Sequence, residues 1–226
     1  MKNDHLEASR LRADLLEAIT PHVPFDGWSD PAFAAAVTDL GVDPTLARLV
    51  CPRGAIDLAA EYHRAADRAL AAALKEQDFQ DLRFRDKVAA AVKMRIGMVD
   101  AELVRRASSA FALPQNMALG GRLVWETADT IWLGLGDESR DYNWYSKRLT
   151  LSGVFSATVL FWIGDESPEH ADTWAFLNHR IEDVLQFEKI KGGLLRLPGL
   201  RGFLDTIRAP GPRTAPGSLS PRGDTL

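Results

Sequence analysis

The sequence predicts an all-α protein, and three observations carry that prediction. Apolar side chains recur every three or four residues through nearly the whole chain, and no comparable stretch shows the period of two that marks a strand. Pro, Gly and Asp punctuate these runs where helices would start and stop. The 226 residues are 46% apolar, 26% charged and 8% aromatic, an ordinary globular composition with enough apolar mass for a sizeable core. The length suits one domain or two small ones.

Each element follows from local signals. Leu11, Leu15, Leu16 and Ile19 mark a first helix, broken by Pro21 and Pro24. Ser29-Asp30-Pro31 is a start signal, because a Ser or Asp side chain accepts from the free N–H groups of a first turn and Pro fits that turn. The second helix runs Ala32 to Leu40 and stops at Gly41, a natural left-handed cap. Asp43-Pro44 opens a short third helix through Leu46 and Val50, closed by Pro52 and Gly54. A longer helix extends from about Ala55 to Leu74. Three short helices and then a long one, with Gly41-Val42 at the turn, give residues 1–65 a helix-turn-helix-like layout.

Four longer helices follow. One is read from Phe84 to about Ala112, a second from Pro114 to near Gly136, and a third from Tyr142 to Ile163. A fourth is capped near Ser167-Pro168 and runs through Leu185. The third turns apolar on all sides from Leu149, as a buried helix does. Its uncharged run, Leu149 to Gly164, is shorter than the roughly 20 residues of a membrane span.

Charge separates the two ends. The total is −4, and residues 1–65 alone hold six basic and ten acidic side chains. Phosphate contacts supply much of DNA affinity, so a headpiece of net −4 is unsuited to DNA. Residues 189–208 invert the balance, with five basic side chains against Asp205. There Leu197, Leu200, Phe203, Leu204 and Ile207 share one helical arc, with Arg196 and Arg201 among the bases. A basic amphipathic helix of this kind reads as a membrane-surface element. The alternative is a final helix docked on the domain's own core. Residues 209–226 hold four Pro and three Gly and read as a disordered tail.

Catalytic signatures are missing. The sequence has no His-Glu-x-x-His, no phosphate loop and no dinucleotide fingerprint. Cys51 is the single cysteine, which excludes an intramolecular disulfide and a cysteine zinc site. The five histidines are scattered, and Glu166 with His170 is the nearest approach to a metal pair. No metal, cofactor or catalytic residue is assigned. The segment Met1 to Glu7 lacks an apolar signal region and carries acids. The expectation is a cytoplasmic binding protein with a large apolar interior.

Three motifs resemble one family. Asp141-Tyr142-Asn143-Trp144-Tyr145-Ser146-Lys147-Arg148 is dense in the residue types that anchor interfaces. It resembles a signature of the auxiliary lipid-binding protein family of coenzyme Q (ubiquinone) biosynthesis. His22 to Ser29 resembles that family's N-terminal motif, and Asp172 to Leu177 with Arg180-Ile181 its penultimate-helix motif. The matches span about residues 11–208.

The resemblance implies a tetracycline-repressor-like fold, a homodimer with DNA binding lost, and no chemistry of its own. It implies an apolar pocket for an isoprenoid quinone precursor or phospholipid. It also implies a partner, the di-iron demethoxyubiquinone hydroxylase, served at the membrane surface. The family's partner patch maps to Asp141, Asn143, Trp144, Tyr145 and Arg148, with Leu133 and Leu135 beside them. Its membrane helix maps to Leu194–Ile207, within the basic segment 189–208, which leaves 66–188 for lipid binding and dimerisation. Candidate pocket residues on the two apolar helices are Trp125, Ile131, Trp132, Phe155, Val159, Phe161 and Trp162. The expected location is the cytoplasmic side of a bacterial inner membrane, or the matrix side in a mitochondrion. A ligand-responsive transcriptional regulator on the same fold is the alternative, and an enzyme acting on the quinone precursor is a third reading.

Overall fold

The computed structural model describes residues 2–138 and 142–194, and these form ten α-helices with no strand among them. The helices are α1 (Lys2–Ile19), α2 (Val23–Asp26), α3 (Asp30–Leu40), α4 (Pro44–Val50), α5 (Ala55–Glu76), α6 (Phe84–Ile96), α7 (Ala101–Phe111), α8 (Pro114–Gly134), α9 (Tyr142–Trp162) and α10 (Ala171–Leu194). The all-α architecture is as the sequence predicts. The expected division at 65/66 falls inside α5, and that at 188/189 inside α10. The arc Leu197, Leu200, Phe203, Leu204 and Ile207, with Arg196 and Arg201, lies outside the described residues, as does the expected tail.

The punctuation behaves as read. Ser29 accepts from the Ala32 N–H and caps α3. Gly41 closes α3 at φ 62°, a left-handed conformation that glycine takes without a Cβ penalty. Asp43 accepts from the N–H groups of Thr45 (2.7 Å) and Leu46 (3.1 Å), which holds its carboxyl below the usual range. The result is a helix-turn-helix-like unit, α1 packed on α3, α4 and α5.

The helix read from Phe84 to Ala112 is instead two. Gly97 ends α6, and Asp100 caps α7 by accepting from Glu102 and Leu103 at 2.9 and 3.0 Å. Tyr62 Oη accepts the Asp100 N–H at 2.8 Å and fixes the break against α5. The freed α7 joins the N-terminal core. Trp28, buried, donates its indole N–H to the Leu103 carbonyl (3.1 Å), and Arg106 donates to the Pro24 carbonyl (2.7 Å). Much of the motif His22 to Ser29 therefore clamps α7, while Phe25 stands 84% exposed.

Before α10 the chain makes a short 3-10 turn at Pro168–His170, with Glu169 and His170 at positive φ. Asp165 organises it, accepting from the N–H groups of Ser167 and Thr173 and from the Thr173 hydroxyl. These bonds hold its carboxyl well below the usual range. Helix α10 starts at Ala171, later than its expected cap.

Two apolar cores result. One gathers α1, α3, α4, the first half of α5 and α7 around Leu15, Phe33 and Leu58. The other gathers the second half of α5, α6 and α8–α10 around Leu70, Ile131, Phe155 and Leu177. Helix α5 runs through both as a spine, with α8 along it and α9 along α8.

Candidate functional site

Between α5–α8 and α9 lies a cavity of about 720 Å³ with mostly apolar walls. That volume falls in the range of small-molecule pockets. Trp125 and Val124 come from α8, Phe155, Val159 and Trp162 from α9, and Ile96 from α6. Val104 and Phe111 of α7 supply another wall, so the α6–α7 break shapes the space. Small residues keep it open. A Cβ on Gly120 would stand 2.9 Å from Phe111 Cβ, whereas Gly121 and Gly153 have nothing within 4 Å of theirs. Leu149, Leu160 and Met117 line the cavity yet are 68%, 62% and 58% exposed, so they mark its mouth.

Four of the seven expected pocket residues line this cavity: Trp125, Phe155, Val159 and Trp162. Three do not. Ile131 is fully buried in the second core. Trp132 ties α8 to α9, donating its indole N–H to the Lys147 carbonyl (3.1 Å) and stacking on Phe84. Phe161 faces outward and stacks on Phe176 of α10. Period alone marks a helix as apolar, but only one of its faces can line a given cavity.

One wall is polar, which the sequence reading missed. His63 of α5 lines the cavity, and its Nε2 lies 2.7 Å from Thr127 Oγ1. Thr127 donates to Asp67 Oδ1 at 2.8 Å, so Nε2 carries the proton donated to Thr127. Arg95, 2% exposed, donates from Nε to Asp67 (2.7 Å) and from Nη2 to the His63 carbonyl (2.9 Å). Burial first, then the Arg95 charge, pushes the imidazole down to about 3. Burial also pushes the Asp67 carboxyl up, against the pull of Arg95. The wall therefore holds one compensated ion pair and a neutral imidazole. Its sequence signal was Asp67 four residues after His63 on one helix face.

The aromatic patch borders the same cavity. Trp144 lies 5.8 Å from Trp125, centroid to centroid, and 4.8 Å edge-on from Tyr145. Trp144 and Tyr145 are half-buried, Leu135 likewise, and Leu133 is exposed. Arg148 departs from its expected place on the surface: it is fully buried. It donates to Asp129 (2.5 Å) and Asp137 (3.1 Å), and its guanidinium sits 4.2 Å from the Trp144 ring centroid. A guanidinium so enclosed needs acids around it, and two converge on it here. It supports the patch from beneath and offers no contact to a partner. Asp141 lies outside the described residues, as does the side chain of Asn143.

Among the described residues, no group of three His, Cys, Asp or Glu side chains is arranged to hold a metal ion. No helix among them is long and apolar enough to cross a membrane.

With this geometry in view, residues 117–188, which include nearly all of α8, all of α9 and most of α10, match the family model described as COQ9. The family resemblance holds. The ubiquinone biosynthesis protein COQ9 of Rattus norvegicus, named as mitochondrial, is 28% identical over 92% of this chain and 70% of its own length. The Homo sapiens COQ9 protein is 27% identical over 92% and 69%. A probable coq9 protein of Dictyostelium discoideum is 27% identical over 88% and 68%. In fold, the chain resembles a TetR transcriptional regulator from Nitrosomonas europaea, with a TM-score of 0.62 over 76% of this chain and 97% of that one. At 16% identity that likeness concerns the fold alone, which is tetracycline-repressor-like as the resemblance implies.

Proposed function

We propose that this chain is a non-enzymatic lipid-binding accessory protein of ubiquinone biosynthesis. It takes a polyprenyl quinone precursor from the membrane surface and presents it to the di-iron demethoxyubiquinone hydroxylase. The role in ubiquinone biosynthesis rests on the likeness to COQ9 proteins. One structural observation supports the rest: Trp125 lines the apolar cavity and also meets Trp144, so the cavity opens beside an aromatic patch.

Solubility makes such a protein useful. Each methylene gains about 0.8 kcal/mol on leaving water, so a polyprenyl tail does not leave the bilayer unaided. An apolar cavity gives it a second low-energy place. Residues 189–208, with five bases beside an apolar arc, would hold the protein on anionic headgroups, at about 1 kcal/mol per base. That implies peripheral attachment, on the matrix side in a mitochondrion or the cytoplasmic side of a bacterial inner membrane. Two copies per particle fit the family resemblance. The acidic headpiece supports no nucleic-acid role.

Trp144→Ala is expected to weaken binding of the purified hydroxylase tenfold or more while liposome binding stays unchanged. A chain truncated after Lys189 is expected to keep the hydroxylase and lose anionic liposomes. Pull-down and vesicle sedimentation on the same samples read both. Equal loss of both activities in both variants would end this division of labour.

A further inference from the structure

We infer that the cavity recognises the head of its lipid as well as the tail: Ser152 on α9 and Arg95 on the α6 wall donate to an oxygen of an uncharged head group such as a quinone ring. This rests on the lipid-carrier reading above and adds the site that selects the ligand.

The first observation is a hydroxyl that declines its ordinary bond. Thr20, Thr38, Ser109, Thr130 and Thr158 each turn their hydroxyl onto the carbonyl four residues back. That is the usual recourse of a helical Ser or Thr. Ser152 lines the cavity, and its Oγ is buried with no partner among the described residues. A buried hydroxyl left so is costly unless a visitor completes it.

The second observation is the wall. Arg95 uses Nε and Nη2 within the protein, and its Nη1 has no partner among the described residues. Its guanidinium lies 5.9 Å from the Phe155 ring, one turn along α9 from Ser152, so the two walls meet at this level. Two free donors in an otherwise apolar space give orientation, as in other ligand pockets.

The third is charge. Asp67 already compensates Arg95, and His63 with its Nε2–H on Thr127 is neutral. A carboxylate or phosphate head would bring a charge that nothing on the wall matches, whereas a quinone oxygen brings none. The site is also well placed for delivery. Ser152 stands eight residues after Trp144, about 12 Å along α9.

The test uses the full chain carrying an environment-sensitive apolar dye, displaced by three probes of one skeleton. These are a diprenyl benzoquinone, the diprenyl benzene without the quinone oxygens, and a prenyl carboxylic acid of matched length. The quinone is expected to displace at about a tenfold lower concentration than the hydrocarbon, the worth of one net hydrogen bond. The acid is expected to trail the quinone. Ser152→Ala, which adds no bulk to α9, is expected to cut the quinone's advantage at least threefold and leave the hydrocarbon midpoint unmoved. His63→Gln, a second variant, is expected to leave the quinone's advantage in place, because the one ring nitrogen not bonded to Thr127 only accepts. Equal displacement by quinone and hydrocarbon in the wild type, equal weakening of both by Ser152→Ala, or preference for the acid would overturn the inference alone. Failure of every probe to displace the dye would overturn the carrier reading with it.

Discussion

The two halves of this molecule handle polar groups in opposite ways. In the helix-turn-helix-like unit, the charged side chains of α3 and α4 stay in water: Arg48 pairs with Asp30 at 2.7 Å, with 45% and 78% of their side chains exposed. Around α8 and α9 the charges are drawn inside. Arg95, Asp67, Arg148 and Asp137 all have side chains at most 9% exposed. The contrast separates a headpiece whose charges stay in water from the half that holds the cavity. The headpiece keeps caps and turns without net basic charge, and α4 shows solvent Leu46 and Leu49 where a DNA reader would need cations. The α8–α9 half spends stability on buried polar groups, and two such groups, His63 and Arg95, stand on the cavity wall.

Arg148→Met makes the sharpest test of that contrast. The substitution keeps most of the volume but takes the guanidinium from Asp129, which is partly in water, and from Asp137, which keeps Lys147 at 2.7 Å, so the cost falls at or below the lower end of the range for a buried pair. Removing one partner of a buried pair costs about 3–5 kcal/mol. Chemical denaturation of the two proteins measures it. A loss below about 1 kcal/mol would mean that the cluster is as well solvated as the surface pairs of the headpiece. Trp144 also loses the cation beneath its ring, so its fluorescence should shift together with stability.

The next effect is a pH dependence that belongs to the cavity half. His63 has its pKa lowered on folding from 6.5 to about 3. The unfolded chain then binds a proton that the folded chain refuses. Its contribution is fully present above pH 6.5 and is lost as pH falls from there toward 3. The slope approaches about 1.4 kcal/mol per pH unit once the unfolded histidine is fully protonated. Denaturant titrations of wild type and His63→Gln between pH 7 and 4 read it directly. The difference between the two should shrink steadily on acidification. A constant difference would show that His63 is solvated and free to charge in place.

The sequence made the helix-turn-helix half far more legible than the site. Ser29, Gly41 and Asp43 act on backbone groups within a few residues, so their meaning is local. The break at Gly97 was missed because glycine alone does not end a helix. Here it acts with the Asp100 cap and with Tyr62, 38 residues away. The polar wall joins α5, α6 and α8 across separations of 28 to 64 residues, which no period encodes. Arg148, set between Lys147 and Leu149 at a polar helix start, reads as surface; Asp129 and Asp137 enclose it, 19 and 11 residues back. The resemblance therefore found the patch but could not say which of its residues face outward.

Arg48→Ala is expected to have the smallest effect, and that smallness is informative. The pair it removes joins α4 to α3 in high dielectric, where exposed ion pairs are worth about 0.2–1 kcal/mol. Arg48 also lies over the Phe33 ring, 4.8 Å from its centroid, a contact of about 0.5–1 kcal/mol at exposed sites. Against these losses stands the side-chain entropy released when a long cation is truncated. The terms nearly cancel, so the net cost should stay within about 1 kcal/mol by denaturation, below that of Arg148→Met. The same cation would be the natural phosphate contact of α4, the DNA-reading helix in a helix-turn-helix, yet Asp30 already occupies it. If Arg48→Ala cost as much as Arg148→Met, the headpiece would be held by its surface charges, and the contrast between the two halves would fail.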